Sequence, residues 1–496
     1  MSEFLTREQV PLRDGRSVDI RAGRADDGDR FLRFFDGLSA QSRDFMHGWT
    51  QACSPEFAGQ LAARATAADH RAIVAVAEGQ IVGYCWIDGL HVNDMPMLGI
   101  GIIDAYHEAG LGRVLLRLMV EWAGELGAKQ VRLGVFTDNA RGIHVYRKVG
   151  FVDDPTMPAK VFDGRTELYM AVDTAAVPRS HFPLLEASGT PYAIGVAHGK
   201  AFASCIESAI AALPELLPVP MAAATAYALQ SLPYCRRHAP ELLEEVQGIA
   251  DGAGLTFEQI FTLNASLDLQ LSARQLTAPA PAPDCWAAVV REERGATVLW
   301  TAEDSARWLD ACVLLRLRPD GGVPCLLWTF AGFVGRPGVN PSLSLAAAAQ
   351  FADDCAPGLP YPFLCRKVLA CATTEEAVQT INRYDRMAGM AYVVGDAAGD
   401  NAAVMTTARS VRVWQRGEAT AFSSGRFELN RMVRFTKLLP AGDYTAMQRD
   451  HDQGALCAHD DSGLFTLTAF QCRVPNSMMR LSYGPPCTSG YIRYSL

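Results

Sequence analysis

Three short stretches of the chain carry residue types that do chemistry at usable spacing. In HEAGLG, residues 107–112, Gly110 and Gly112 stand between the strand-like run MLGIGIID and an amphipathic helical run opening at Arg113. Glycines there let backbone approach a ligand closely. The unpaired N–H groups of the helix start then form an anion site suited to a pyrophosphate. In NARGIHVYRKVGF, Asn139 is placed to cap a short helix and Gly150 to end it. Tyr146 lies seven residues after Asn139, nearly on the same helical face. A phenol beside an anion site can protonate a departing thiolate. Cys285 opens the apolar run CWAAVV directly after LTAPAPAPD, where a thiol is a nucleophile if it is exposed. Each feature alone also has a plainer reading: a tight turn, a core tyrosine, a packing cysteine.

The elements that must position these residues fall into two halves. Residues 1–173 alternate strand-like runs (SVDIRAG, RAIVAVAEG, IVGYCWIDGL, QVRLGVF, ELYMAV) with helical ones (DDGDRFLRFFDGL, RVLLRLMVEWAGELG), which predicts an α/β or α+β domain. Residues 174–190 are small, Pro-containing and aperiodic, and read as a linker. From 191 onward, KAFASCIESAIAAL, ATAYALQSL and ELLEEVQGIADGAG carry helical periodicity. The Ala–Pro stretch at 276–285 favours extended polyproline II, and the runs after it are strand-like, so a layered α+β sheet domain is expected there.

Composition bounds the function. The 496 residues, 49% hydrophobic and 20% charged, supply ample core and exclude a disordered or disulfide-stapled chain. A net charge of −9 gives no basic field for nucleic acid or an anionic membrane. No apolar run reaches the roughly 18–20 residues that span a bilayer, and the N-terminus lacks a signal-peptide core. The 13 cysteines are irregularly spaced and contain no CxxC pair, so the expectation is a reduced cytoplasmic protein without a metal site.

His107-Glu108-Ala109-Gly110-Leu111-Gly112, together with Asn139, Tyr146, Gly150 and Phe151, resembles the GNAT family of acetyl-CoA-dependent N-acyltransferases over about residues 8–173. The resemblance implies a mixed-sheet GNAT domain using acetyl-CoA or another acyl-CoA to acylate a small amine or peptide-like metabolite. It implies that the amides of Leu111, Gly112 and Arg113 hold the pyrophosphate, that Asn139 contacts the cofactor and that Tyr146 is the general acid. His107 stands where the family usually has Gln or Arg. The acceptor's base is not identified by it; Asp104 and Glu108 are candidates, as is the loop of His91, Asn93 and Asp94 for facing the acceptor.

The second half resembles the penicillin acyltransferase-like N-terminal-nucleophile (Ntn) hydrolases over about residues 190–496. YAIGVAHGKAF, EEVQGIADGAGLTFEQIFTLNASLD and YGPPCTSGYIRYSL carry the likeness. It implies an αββα four-layer domain that cleaves itself between Asp284 and Cys285. The freed Cys285 would form an acyl-thioester from an amide or thioester donor, with Asp304 and Asn340 in catalytic roles and Arg366 binding substrate. Departures are present: Asp284 replaces a Gly, Trp286 a Ser or Thr, Ala302 the Asn of N-x-D, and Ala391 an oxyanion-stabilising Asn. Two expectations therefore stand side by side, a bifunctional acyl-transfer enzyme and an active GNAT enzyme carrying an inactive Ntn-fold binding module. His459-Asp460-Asp461 has residue types that suit metal or relay chemistry but reads rather as an exposed turn, and Glu244 and Glu245 read as a solvated helix face.

Overall fold

The computed structural model describes residues 3–46, 53–65, 67–92, 95–162, 164–217, 219–273, 284–349, 354–415, 417–423, 428–452, 456–459 and 465–496. The chain divides into two compact units, residues 1–181 with 488–493, and residues 182–487 with 494–496.

The first unit begins with β1 (Arg7–Pro11), β2 (Ser17–Ala22), α1 (Gly28–Asp36), α2 (Ala40–Asp44) and α3 (Pro55–Arg64). It continues with β3 (His70–Ala77), β4 (Gln80–Asp88), β5 (Met97–Ile102), α4 (Leu111–Glu125) and β6 (Gln130–Phe136). It ends with α5 (Ala140–Val149), β7 (Val152–Asp153), β8 (Lys160–Phe162) and β9 (Arg165–Asp173). The strands order as β1-β2-β3-β4-β5-β6-β9-β7, with β8 beside β9. Phe31, Phe34 and Phe35, at i, i+3 and i+4 on one face of α1, are buried against Tyr84 and Leu61. Most neighbours are antiparallel, but β5 and β6 run parallel and share a single register pair, Met97 with Arg132. Beyond it no further register pair joins the two strands among the described residues.

The second unit opens with β10 (Leu184–Gly189), α6 (Pro191–Leu216), α7 (Met221–Leu229), α8 (Leu232–His238), α9 (Pro240–Ala253) and α10 (Phe257–Ala273). Then follow β11 (Asp284–Arg291), β12 (Ala296–Asp304), β13 (Cys312–Pro319), β14 (Cys325–Phe330), β15 (Gly338–Val339) and β16 (Leu343–Ala349). Next come α11 (Tyr361–Val368), α12 (Thr374–Arg383), β17 (Met390–Asp396), β18 (Asn401–Thr406), β19 (Val411–Gln415) and β20 (Ala419–Ser423). The last elements used below are α13 (Glu428–Leu438), α14 (Tyr444–Gln448), β21 (Phe465–Val474) and β22 (Met478–Leu481). One sheet orders as β20-β11-β12-β21-β22, the other as β10-β13-β14-β15-β16-β17-β18-β19. They pack face to face: Gly395 on β17 abuts Ala296, Val289 and Val298, where a side chain at 395 would come within 2.7 Å of Ala296. Helix α13 covers the outer face of the first sheet through Trp286 and Phe435, and α12 packs on β17 and β18 of the other.

Two sequence expectations change here. Leu184–Gly189, inside the stretch read as a linker, is an edge strand in parallel register with β13. Glu245, read as solvent-facing, is 1% exposed and paired with Arg366. Its helix α9 lies in backbone contact with α6 through four glycines. A Cβ on Gly248 would stand 2.2 Å from the Tyr192 carbonyl oxygen, and one on Gly199 2.3 Å from that of Ile249. These glycines are the ones that carried the family likeness, and their role in the structure is close helix packing. Among the described residues no single helix is long and apolar enough to cross a membrane.

Candidate functional sites

The first site lies where β5, α4 and α5 meet. Gly110 adopts φ +88° as the N-cap of α4, a left-handed conformation that turns the chain from the loop into the helix. The first-turn amides of α4, at Leu111, Gly112 and Arg113, have no partner within the helix and carry its positive end. Ile100, Gly101 and Ile102 of strand β5 and His107, Gly110, Leu111, Gly112, Arg113, Asn139 and Tyr146 all line one cavity of about 570 Å³. The sequence thus brought together every residue assigned to the acyl-CoA site.

Their individual roles are more specific. The Asn139 side-chain oxygen accepts the Gly142 N–H at 2.9 Å, the expected N-cap of α5. Tyr146 is half-buried and lines the cavity. Burial first, and the neighbouring Cys85 second, push its pKa well above the usual phenol value, so it stays protonated. His107 bonds the Ile102 carbonyl through Nε2 at 2.9 Å, so this ring nitrogen braces the loop. Asp104 accepts from the Ser39 N–H and from the hydroxyls of Ser39 and Ser42 at 2.8–3.0 Å. Burial alone would raise its pKa, but these bonds prevail and hold it below the ordinary carboxylate range. It anchors the start of α2 and is a poor base. His91 lines a different cavity, beside Leu126 and Lys129, and Asn93 and Asp94 lie outside the described residues.

The sequence reading missed Arg13, Arg141 and Lys148, which line the first cavity beside the α4 amides. Arg13 packs along Gly110, and its N–H donates to the Ala109 carbonyl at 3.0 Å. Arg141 and Lys148 flank Tyr146 on α5, a signal present in ARGIHVYRK but equally expected of a solvated helix face.

The second site is built around Cys285. It stands opposite Ala302 in the β11–β12 ladder, and Asp284 opposite Glu303. A bulge between Ala302 and Glu303 re-aims β12 so that Ala302, Glu303 and Asp304 all line one cavity with Cys285. Burial raises the Asp304 carboxyl above its ordinary pKa, against a hydrogen bond from Ser305 N–H and the charge of Arg336. Trp286, by alternation, faces the other side and packs on Phe435 at 5.6 Å between centroids. The cavity has a volume of about 70 Å³. Ala391 does not line it; alternation puts that side chain on the sheet face of Gly395, and Met390 reaches the cavity instead.

Two residues assigned to this site are elsewhere. Asn340 is buried, its amide donating to the Leu369 and Cys371 carbonyls at 2.8 and 2.7 Å, its oxygen accepting from Ser342 and Leu343 N–H at 2.7 and 2.6 Å. No donor is left for an oxyanion. Arg366 donates to Glu245 at 2.9 Å and to the Val334 carbonyl at 2.7 Å, away from the Cys285 cavity. With His198, which accepts the Gly332 N–H, and Asn264, which bonds Gly332 and Val334, it clamps residues 332–334. This clamped loop delivers Arg336, which sequence reasoning missed, into the Cys285 cavity. Its guanidinium lies 4.4 Å from the Phe330 ring centroid and 5.9 Å from that of Tyr361, and its Nε is buried without a hydrogen-bond partner among the described residues.

Residues 36–151 match the family model described as Acetyltransferase (GNAT) family, and residues 344–422 that described as Acyl-coenzyme A:6-aminopenicillanic acid acyl-transferase. Among curated relatives, streptothricin acetyltransferase of Streptomyces lavendulae is 32% identical over 125 residues, 23% of this chain and 64% of that protein. L-amino acid N-acetyltransferase AaaT of Escherichia coli (strain K12) is 35% identical over 86 residues, 16% of this chain and 51% of that protein. The chain therefore spans between about half and just under two thirds of the length of these relatives. Among solved structures, the GNAT domain of S. lividans PAT aligns at 21% identity, covering 34% of this chain and 97% of that one, with a TM-score of 0.29.

Proposed function

We propose that this chain, which carries a GNAT-family acetyltransferase domain and a penicillin acyltransferase-like domain, moves acyl groups at two sites. In the first, an acyl-CoA, acetyl-CoA foremost, donates its acyl group to a small amine or peptide-like metabolite. The observation that carries this reading is the convergence of the α4 amides, Arg13, Arg141, Lys148 and Tyr146 on one cavity. The amides and cations suit a pyrophosphate. The amine nitrogen attacks the thioester carbonyl, the C–S bond breaks as the C–N bond forms, and the Tyr146 hydroxyl protonates the leaving sulfur. The proton lost by the amine leaves to solvent or a base. With Asp104 held as an anchor, Glu108 is the carboxylate left at the cavity. The test is thiol release from acetyl-CoA by the full chain across an amine panel. Acylated product with at least one amine supports the reading, and hydrolysis alone opposes it.

At the second site the Cys285 thiol would attack an amide or thioester carbonyl, expel the amine or thiol and hold the acyl group as a thioester for transfer to an amine or water. The proposed layering is that of an Ntn hydrolase, with the α-amine freed at Cys285 as base after cleavage from Asp284. Asp304 and Arg336 line the cavity beside Glu303, which is paired with Arg431, and Arg336 takes the substrate-binding role first assigned to Arg366. A second reading, an inactive partner-binding module, is favoured by one observation. A cavity of about 70 Å³ is well below the roughly 300–1,000 Å³ of small-molecule sites.

A further inference from the structure

Away from both sites, four side chains of the second unit converge: His451, Cys457, His459 and Cys487, with one potential ligand atom from each lying within 4.8 Å of the others. The two sulfurs are 3.6 Å apart. His459 Nε2 lies 3.2 Å from the Cys487 sulfur, 4.0 Å from that of Cys457 and 2.9 Å from His451 Nε2. A tetrahedral zinc ion with ordinary Zn–S and Zn–N bonds has edges of roughly 3.8 Å between sulfurs, 3.5 Å from sulfur to nitrogen and 3.3 Å between nitrogens. These four edges depart from those values by up to about half an ångström, and the two from His451 to the sulfurs are no longer than 4.8 Å. A Cys457–Cys487 disulfide would need the sulfurs near 2.05 Å, and would leave the two inward imidazoles unexplained.

The ligands come from three segments that the fold has already fixed. His451 follows α14, Cys457 and His459 precede β21, and Cys487 sits in the short turn Pro486–Ser489. Ala458, between two of the ligands, exchanges hydrogen bonds with Thr466 at 2.9 and 3.1 Å. Arg449 donates to the Pro486 carbonyl at 2.9 Å, which ties the His451 segment to the Cys487 turn. Cys457 is buried, Cys487 is half-buried and His451 is exposed, so the cluster has a protein side and an access side.

We infer that His451, Cys457, His459 and Cys487 bind one zinc-class divalent cation. Four protein ligands leave no open position, which makes the site structural. Two thiols lose their protons on binding, and two thiolates with two neutral imidazoles give a complex of zero net charge. The ion staples the segment before β21 to the Cys487 turn. Thr466 pairs with Glu303 and Leu467 lines the Cys285 cavity, so the staple also braces that cavity's wall. The expectation of a metal-free chain rested on the missing CxxC, and ligands drawn from separate segments do not need one.

The experiment is metal analysis of the full, tag-free chain purified under reducing conditions, followed by exchange of Co²⁺ for Zn²⁺. The expected result is about one zinc per chain, with a cobalt form showing thiolate charge-transfer and strong tetrahedral d–d bands. Cys487→Ser and His459→Asn should each weaken cobalt binding by about 10²-fold or more while circular dichroism is retained. Where a variant fails to fold, the wild-type cobalt spectrum decides by itself. Absence of zinc with no cobalt spectrum, or a Cys457–Cys487 disulfide in mass analysis, would overturn the inference.

Discussion

Cys285 lies directly opposite Ala302 in an antiparallel ladder, with Asp284 in the same ladder opposite Glu303. The bond between Asp284 and Cys285 is thus held within a paired strand, and cutting it frees an amine at the cavity mouth without dissolving β11. Intact-mass measurement of the purified chain should show two fragments divided at that bond. Cys285→Ala should give one unbroken chain. A wild-type chain that stays whole contradicts a mature nucleophile.

Arg366 and Arg336 should separate cleanly. Arg366→Met strands Glu245 in the interior and removes a hydrogen bond from Val334, which should cost about 3–5 kcal/mol and lower the melting temperature. Burial already pushes the Glu245 pKa up against the pull of Arg366, so the carboxyl would take a proton in the variant. Arg336→Met should leave stability within about 1 kcal/mol and raise KM for anionic donors at Cys285. A stable Arg366→Met with raised KM would reverse the two assignments.

Gly248→Ala should destabilise the second unit by at least about 2 kcal/mol, since the methyl meets a carbonyl at 2.2 Å in a helix pair with no slack. Chemical denaturation of the variant checks this. A neutral result would mean that α6 and α9 are not in backbone contact.

His198 carries a pH signature. Its pKa falls from an ordinary 6.5 to about 3, first through burial and then through Arg366, and its Nε2 accepts the Gly332 N–H. The unfolded chain therefore binds a proton near pH 6.5 that the folded chain refuses, so this stability is present above that pH and lost below it. Between pH 7 and 5 the loss is about 2 kcal/mol. Asp268, raised to about 7 by burial, works in the opposite direction. The measurement is thus the difference between wild type and His198→Gln, which should shrink toward pH 5. A constant difference across that range rejects the assignment.

What could be read from the sequence was mostly local. Gly110, Gly112, Asn139 and Tyr146 sit within two strand–turn–helix units, where capping and left-handed turns follow short-range rules, and all reached one cavity. Arg13 and Arg336 arrive through tertiary packing and left no local sign. Asn340, Arg366 and Glu245 were misassigned for a related reason. A polar side chain that clamps buried backbone has the same letter as one that meets substrate, and only its hydrogen-bond partners distinguish them. His459 was read as a turn because two of its neighbours, His451 and Cys487, reach it from other segments.

Tyr146→Phe should lower kcat for amine acylation by about 10²-fold or more while acetyl-CoA still binds, because the ring remains and only the proton donor is lost. Equal kcat in the variant would remove Tyr146 from the reaction.

Acyl-CoA binding at the α4 cavity is tested most directly by calorimetric titration of the full chain with acetyl-CoA. One saturable site with Kd below about 1 mM is predicted, weakened about tenfold or more by Arg13→Ala with Arg141→Ala and unchanged by Cys285→Ala. No binding at that concentration, or binding lost with Cys285 and not with the arginines, would contradict it.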